Sequence, residues 1–146
     1  MTALRWIDTA HANKWIVVLP EVFTFEEFTD EFAAAIEDLK RRPPGYRVVV
    51  LTDMEQMTHS EARRRQRAAQ FIKENKETFR QHIIAWGFVS TKGVIRGALT
   101  AIAWLKAFPV PMNVFATRRE CHEWLDEQLT AERAGRRSVP VRSDDE

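Results

Sequence analysis

Four places in the sequence set reactive side chains close together. Asp53, His59 and Ser60 supply the side-chain types of a serine hydrolase within one stretch. That chemistry needs the serine on a strained strand-to-helix elbow beside oxyanion donors, and no Gly-x-Ser-x-Gly is present, so no catalytic residue is expected there. Cys121 and His122 are adjacent, and helical neighbours point about 100° apart, so they cannot work on each other as nucleophile and base. Cys121 lies on an apolar stripe and reads as a small core residue. Ser90-Thr91-Lys92-Gly93, with Arg96 one turn further on, places hydroxyls, a lysine and a glycine where a helix starts, and free backbone N–H groups there can hold an anion. The Walker spacing is absent, so the competing reading is a turn with a cap and a solvated lysine. Arg63, Arg64, Arg65 and Arg67 crowd four guanidinium groups into five positions, which either steers a partner or is a solvated helical face. His11 and His82 stand apart, and no pair has the His-x-x-x-His spacing of a helical metal site, so neither a metal nor a cofactor is expected.

These groups need a scaffold, and the composition limits which one. With 146 residues there is room for one ordinary core, and 45% hydrophobic content with nine Phe and five Trp is enough to offset chain entropy. A net charge of +1 gives no electrostatic case for a nucleic-acid binder. One cysteine excludes an intramolecular disulfide framework and suits a reducing compartment. No apolar run approaches a membrane span, and residues 1–10 lack the pattern of a signal peptide, so a cytoplasmic protein is expected. Charge is unevenly distributed: residues 1–40 hold three basic and eight acidic side chains, and residues 41–80 hold ten and five.

Three helix starts carry the same device, a threonine cap answered by a glutamate three residues later: Thr24 with Glu27, Thr58 with Glu61, and Thr117 with Glu120. The first helix is predicted to run to about Arg41, stapled by Phe23 and Phe28 and stopped by Pro43-Pro44-Gly45. The second is predicted over His59 to about Arg80, most arginines outward, and the third to fray near Gly135. A further helix lies between Gly93 and Ala107. On it Trp104 shares a face with Gly93, Gly97 and Thr100, as an exposed anchor for a partner or as packing against the Phe108–Pro111 turn. Strands are predicted at Leu4–Ile7, Trp15–Leu19, Tyr46–Leu51, Ile83–Val89 and Met112–Phe115. The unbroken apolarity of Val48-Val49-Val50-Leu51 suits parallel strands covered on both faces, whereas the first two strands suit an edge hairpin. The order ββαβαβαβα then gives an α/β fold with a five-stranded, mostly parallel sheet and four helices, over residues 1–133. Residues 134–146 are expected to form a flexible polar tail.

The order of elements resembles the SpoIIAA-like fold of the STAS group. The stretch Gly93-Val94-Ile95-Arg96-Gly97-Ala98-Leu99-Thr100-Ala101-Ile102-Ala103-Trp104-Leu105, with Pro109–Thr117 and Glu123-Trp124-Leu125, is similar to bacterial SpoIIAA-like proteins, also described as STAS-like or CRAL-TRIO-like. The resemblance covers roughly residues 3–130. It implies a non-enzymatic regulatory or scaffold module that binds a protein partner or a second copy of itself. STAS switch proteins carry a phosphorylated serine at the start of the second helix. Here Asp53 matches the strand-end aspartate, the Ser-Ser-Gly signature is missing, and Thr58 or Ser60 is left as the position of a phospho-switch or binding loop. The partner surface expected from the residues is Arg63, Arg64 and Arg67, with Trp104. The alternative function is binding a small amphipathic or anionic ligand, a lipid or nucleotide, at the carboxyl ends of the strands around Ser90, Thr91, Lys92, Gly93 and Arg96.

Overall fold

The fold follows from one connection rule applied repeatedly. In the computed structural model, which describes residues 5–9, 13–57, 61–104 and 108–138, the elements run β1 (Arg5–Thr9), β2 (Lys14–Val18), α1 (Phe25–Arg41), β3 (Val48–Asp53), α2 (Ala62–Glu74), α3 (Lys76–His82), β4 (Ile83–Val89), α4 (Gly93–Trp104), β5 (Met112–Phe115) and α5 (Arg118–Ser138). They form a five-stranded sheet in the order β1-β2-β3-β4-β5. β1 pairs antiparallel with β2, as the edge hairpin predicted, and β2 to β5 are mutually parallel. Parallel crossovers are right-handed as a rule and the three here step in the same direction, which puts α1, the α2–α3 pair and α4 on one face, here called the front, where they share one core. α5 follows the last strand, escapes that rule and covers the back.

β3 shows why its sequence is apolar throughout. Val48 and Val50 face the front core with Trp15, Val17, Trp86, Phe88, Ile36 and Phe71, whereas Val49 and Leu51 face the back core with Ile84, Val89, Cys121, Leu125 and Leu129. The pairing of β3 with β4 shifts register between Val48 and Val49, so both Ile84 and Ala85 turn to the back. At the centre of that face the backbone of Gly87 lies so close to α5 that an added Cβ would sit 2.4 Å from Cys121 Sγ. The free cysteine is the core residue that its apolar stripe indicated.

The first helix begins as read. Thr24 Oγ1 accepts from Glu27 N at 2.9 Å, Glu27 Oε1 accepts from Thr24 N at 2.8 Å, and the Phe23 and Phe28 rings stand 6.3 Å apart as the staple. Thr117 Oγ1 likewise accepts from Glu120 N. The second helix departs from expectation. It starts at Ala62 with Glu61 as its N-cap and no side-chain cap bond, and Thr58 lies outside the described residues. It also breaks at Asn75, whose Nδ2 donates to the Phe71 carbonyl at 2.9 Å, the local competition that makes asparagine a poor helix interior. The result is two helices, and the described residues form five helices instead of the four expected. At the other end α5 continues through Gly135 to Ser138, past the expected fraying point. An interior glycine costs only about 1 kcal/mol relative to alanine, and the arginines that follow it in sequence favour a helix C-terminus. Residues 139–146 lie outside the described residues.

Long-range polar contacts hold α5 in place. Arg47 donates from Nε and Nη2 to the Glu132 carboxylate at 2.8 and 3.0 Å, and from Nη1 to the carbonyls of Arg80 and Gln81 at the end of α3. Gly87→Ala should destabilise the protein by about 2 kcal/mol through overpacking against the thiol. Adding Cys121→Ala should restore part of the loss in a urea titration, and equal midpoints for Gly87→Ala and wild type would refute the contact.

Candidate functional site

At the carboxyl ends of the strands the loops diverge. β4 leads into α4 on the front and β5 into α5 on the back, the arrangement that opens a crevice in α/β sheets. Asp53 ends β3 there: its Oδ2 accepts from Arg118 Nε at 2.7 Å and its Oδ1 from Glu55 N at 3.0 Å. From the next loop, Thr91 donates its backbone N–H and its hydroxyl to the Glu55 carboxylate, and Lys92 Nζ donates to the Glu55 carbonyl. Ser90 is wholly buried; its Oγ accepts from Lys92 N at 3.1 Å and its carbonyl from Arg96 Nη1 at 3.0 Å. Gly93, exposed, opens α4, with nothing near the place its Cβ would take.

Asp53, Ser90, Thr91, Lys92 and Arg96 are therefore brought into one network, and Glu55 and Arg118 are the members that sequence reasoning missed. Glu55 lies 36 residues from Thr91, and no local pattern marks that pairing. Its consequence is chemical: the start of α4, read as an anion holder, receives its carboxylate from the chain itself. Ser60, like Thr58, lies outside the described residues. Trp104 falls in the last turn of α4, with its side chain outside what is described.

The arginine cluster is a second, separate surface. Arg63 lies over the Phe25 ring at 4.1 Å and Arg67 over Phe71 at 4.0 Å, each with no acidic partner among the described residues. Arg64 does not face outward as expected. It lies over the Phe23 ring at 4.1 Å, donates to the Phe23 carbonyl at 2.7 Å and pairs with Glu61, so it fastens α2 to the entry of α1.

Between the front of the sheet and α1, α2 and α4 lies a cavity of about 130 Å³. Phe23, Phe28, Phe32, Met57, Leu99 and Phe108 are among its walls, and its polar lining is Thr52, Arg64 and Arg65. The Thr52 hydroxyl is already engaged by Trp86 Nε1 at 2.9 Å. The cavity wall is therefore almost wholly apolar, since the Arg64 guanidinium is engaged with Phe23 and Glu61.

On the back, Lys14 is buried, and its Nζ stands 2.9 Å from His122 Nδ1 and 2.8 Å from Asp126 Oδ1. Burial, then the Lys14 charge and the weaker Arg118 charge, lowers the His122 pKa below its ordinary 6.5, with Asp126 opposing. Burial pushes the Cys121 thiol up to about 12, against the pull of Lys14, so it is held protonated and is no nucleophile at neutral pH. No group of three or more metal-ligating side chains occurs among the described residues.

No family model matches the sequence, and no curated protein is significantly similar to it. Among solved structures, the crystal structure of an uncharacterized DUF3478-family protein from Shewanella loihica PV-4, described as having a SpoIIAA-like fold, is similar with a TM-score of 0.61. The similarity covers 84% of this chain and 92% of that one at 11% sequence identity. The chain has a SpoIIAA-like fold. In that fold the crevice network and the front cavity are separate features, the first polar and closed by its own residues, the second apolar. No helix among the described residues is long and apolar enough to cross a membrane.

The His122 geometry gives a pH dependence. The unfolded chain binds the imidazole proton more tightly than the folded one. His122 therefore contributes stability that is present above about pH 6.5 and lost as pH falls towards the lowered folded value. Urea midpoints at about pH 7.5 and about pH 5.5 should show this loss, and His122→Gln should reduce it. A slope unchanged in the variant would exclude His122 as its source.

Proposed function

We propose that this SpoIIAA-like domain is a non-enzymatic regulatory or scaffold module of the STAS type that works by binding a protein through α2 and the loop before it. The observation that carries this reading is the pair of guanidinium groups of Arg63 and Arg67, each laid on a phenylalanine ring and without an acidic partner among the described residues. Ring stacking fixes their position in advance and lowers the entropy lost on contact. The polar groups at the strand ends support a non-catalytic reading, because Asp53, Glu55, Thr91 and Lys92 are engaged with one another. Arg63→Ala with Arg67→Ala should weaken capture of the partner from a host lysate while changing stability by about 1 kcal/mol or less. Arg64→Ala should instead cost about 2 kcal/mol of stability by removing a charged hydrogen bond. Unchanged capture by the double variant would discard this surface.

A second reading is favoured by the cavity: a small amphipathic ligand, lipid-like, with its apolar part among Phe28, Phe32 and Leu99. Native mass spectrometry of the chain purified from its own host should then record added mass, which Ala68→Phe, filling the cavity, should remove. A bare polypeptide mass from the host would refute it.

A further inference from the structure

α1 and α2 lie side by side on the outer layer and run the same way, from the carboxyl to the amino ends of the strands. Their charges are opposite. α1 carries six acidic side chains against two basic, and α2 five basic against one acidic. On α1, Glu26, Asp30 and Glu37 are exposed, and the first two have no cationic partner among the described residues. On α2, Arg63 and Lys73 are exposed and Arg67 half-buried, and these have no acidic partner there either. The two stripes are also in register. Arg63 stands over Phe25, and the Phe32 and Phe71 rings lie 4.9 Å apart, so residues about 39 positions apart share a level down both helices. Arg63 and Arg67 thus bracket the level of Glu26 and lie near Asp30, and Lys73 and the exposed Lys76 lie near the level of Glu37.

We propose that this face binds a second copy of the chain, with a two-fold axis running parallel to α1 and α2 and between them. Such an axis lays α1 of each copy over α2 of the other, in the same direction and at the same level. Glu26 and Asp30 then meet the partner copy's arginine pair, and Glu37 meets its lysines, twice over by symmetry. Charge selects this axis, since one perpendicular to the helices within the interface would set α1 against α1 and α2 against α2. Ala34, exposed between Asp30 and Glu37, permits close approach, and a net charge of +1 leaves little overall repulsion between copies. The inference deepens the docking role of α2 by naming its partner.

Sedimentation velocity on the whole chain tests it. At about 0.2 mM protein and about 0.05 M salt, a dimer is expected whose Kd rises at least about tenfold at about 0.5 M salt. The variant Glu26→Lys/Asp30→Lys/Glu37→Lys, basic on both helices, should be monomeric. So should Arg63→Glu/Arg67→Glu/Lys73→Glu, acidic on both, each checked for folding by circular dichroism. Mixed in equal amounts, the two should form a heterodimer. A monomeric wild type at low salt, or variants that dimerise alone, overturns the proposal. A monomeric wild type whose lysate capture still depends on Arg63 and Arg67 would overturn the dimer alone and keep α2 as a docking face for a different protein.

Discussion

The right-handedness of strand–helix–strand connections governs most of this molecule. Applied three times in one direction across β2 to β5, it stacks every crossover helix on the front and leaves one helix for the back. The asymmetry has two consequences. The front is crowded by α1, α2, α3 and α4, whose packing leaves a cavity against the sheet, while the back must be sealed by α5 alone. The demands on α5 are correspondingly strict: Cys121, Leu125 and Leu129 fill its inner face, Gly87 lets it approach, and Arg47 and Lys14 hold it through Glu132 and Asp126.

The same rule accounts for where polarity concentrates. Loops leaving β4 and β5 in opposite directions expose backbone donors at the strand ends, and buried or half-buried donors need partners. Glu55 and Ser90 supply them, and Asp53 ties the β3 end to the start of α5 through Arg118. A crevice that in other α/β proteins is left for a ligand is here stitched by the protein's own carboxylates. The proposed binding roles therefore rest on the outer helices and the front cavity.

Much of the architecture was legible because its signals are local. Capping pairs at Thr24 and Thr117, the proline stop after α1, and the run of valines in β3 each need only a few residues to be read. The break at Asn75 was missed because a single asparagine in a helical pattern shifts the balance by little until its side chain finds the Phe71 carbonyl. Arg64 was misread for a different reason. It sits in a run of arginines that looks uniformly solvated, and its role rests on Phe23, 41 residues earlier in the chain. The cavity has no sequence signature, since it arises from how three helices fail to fill the space between them. The residues around Asp53 and Ser90 were located by strand-end position, but their linkage through Glu55 depends on contacts that spacing does not encode.

The position of α5 in chain order has a consequence for biosynthesis. Every strand precedes it, so on the ribosome the sheet can pair and collect its front helices while Val49, Leu51 and Val89 still lack their cover. A nascent chain at that stage carries an apolar back surface, the kind of exposure that draws chaperones or neighbouring chains. The passage from vulnerable to secure is thus timed by the emergence of one helix, and the contacts of Arg47 with Glu132, near its far end, must wait until nearly all of that helix has been made.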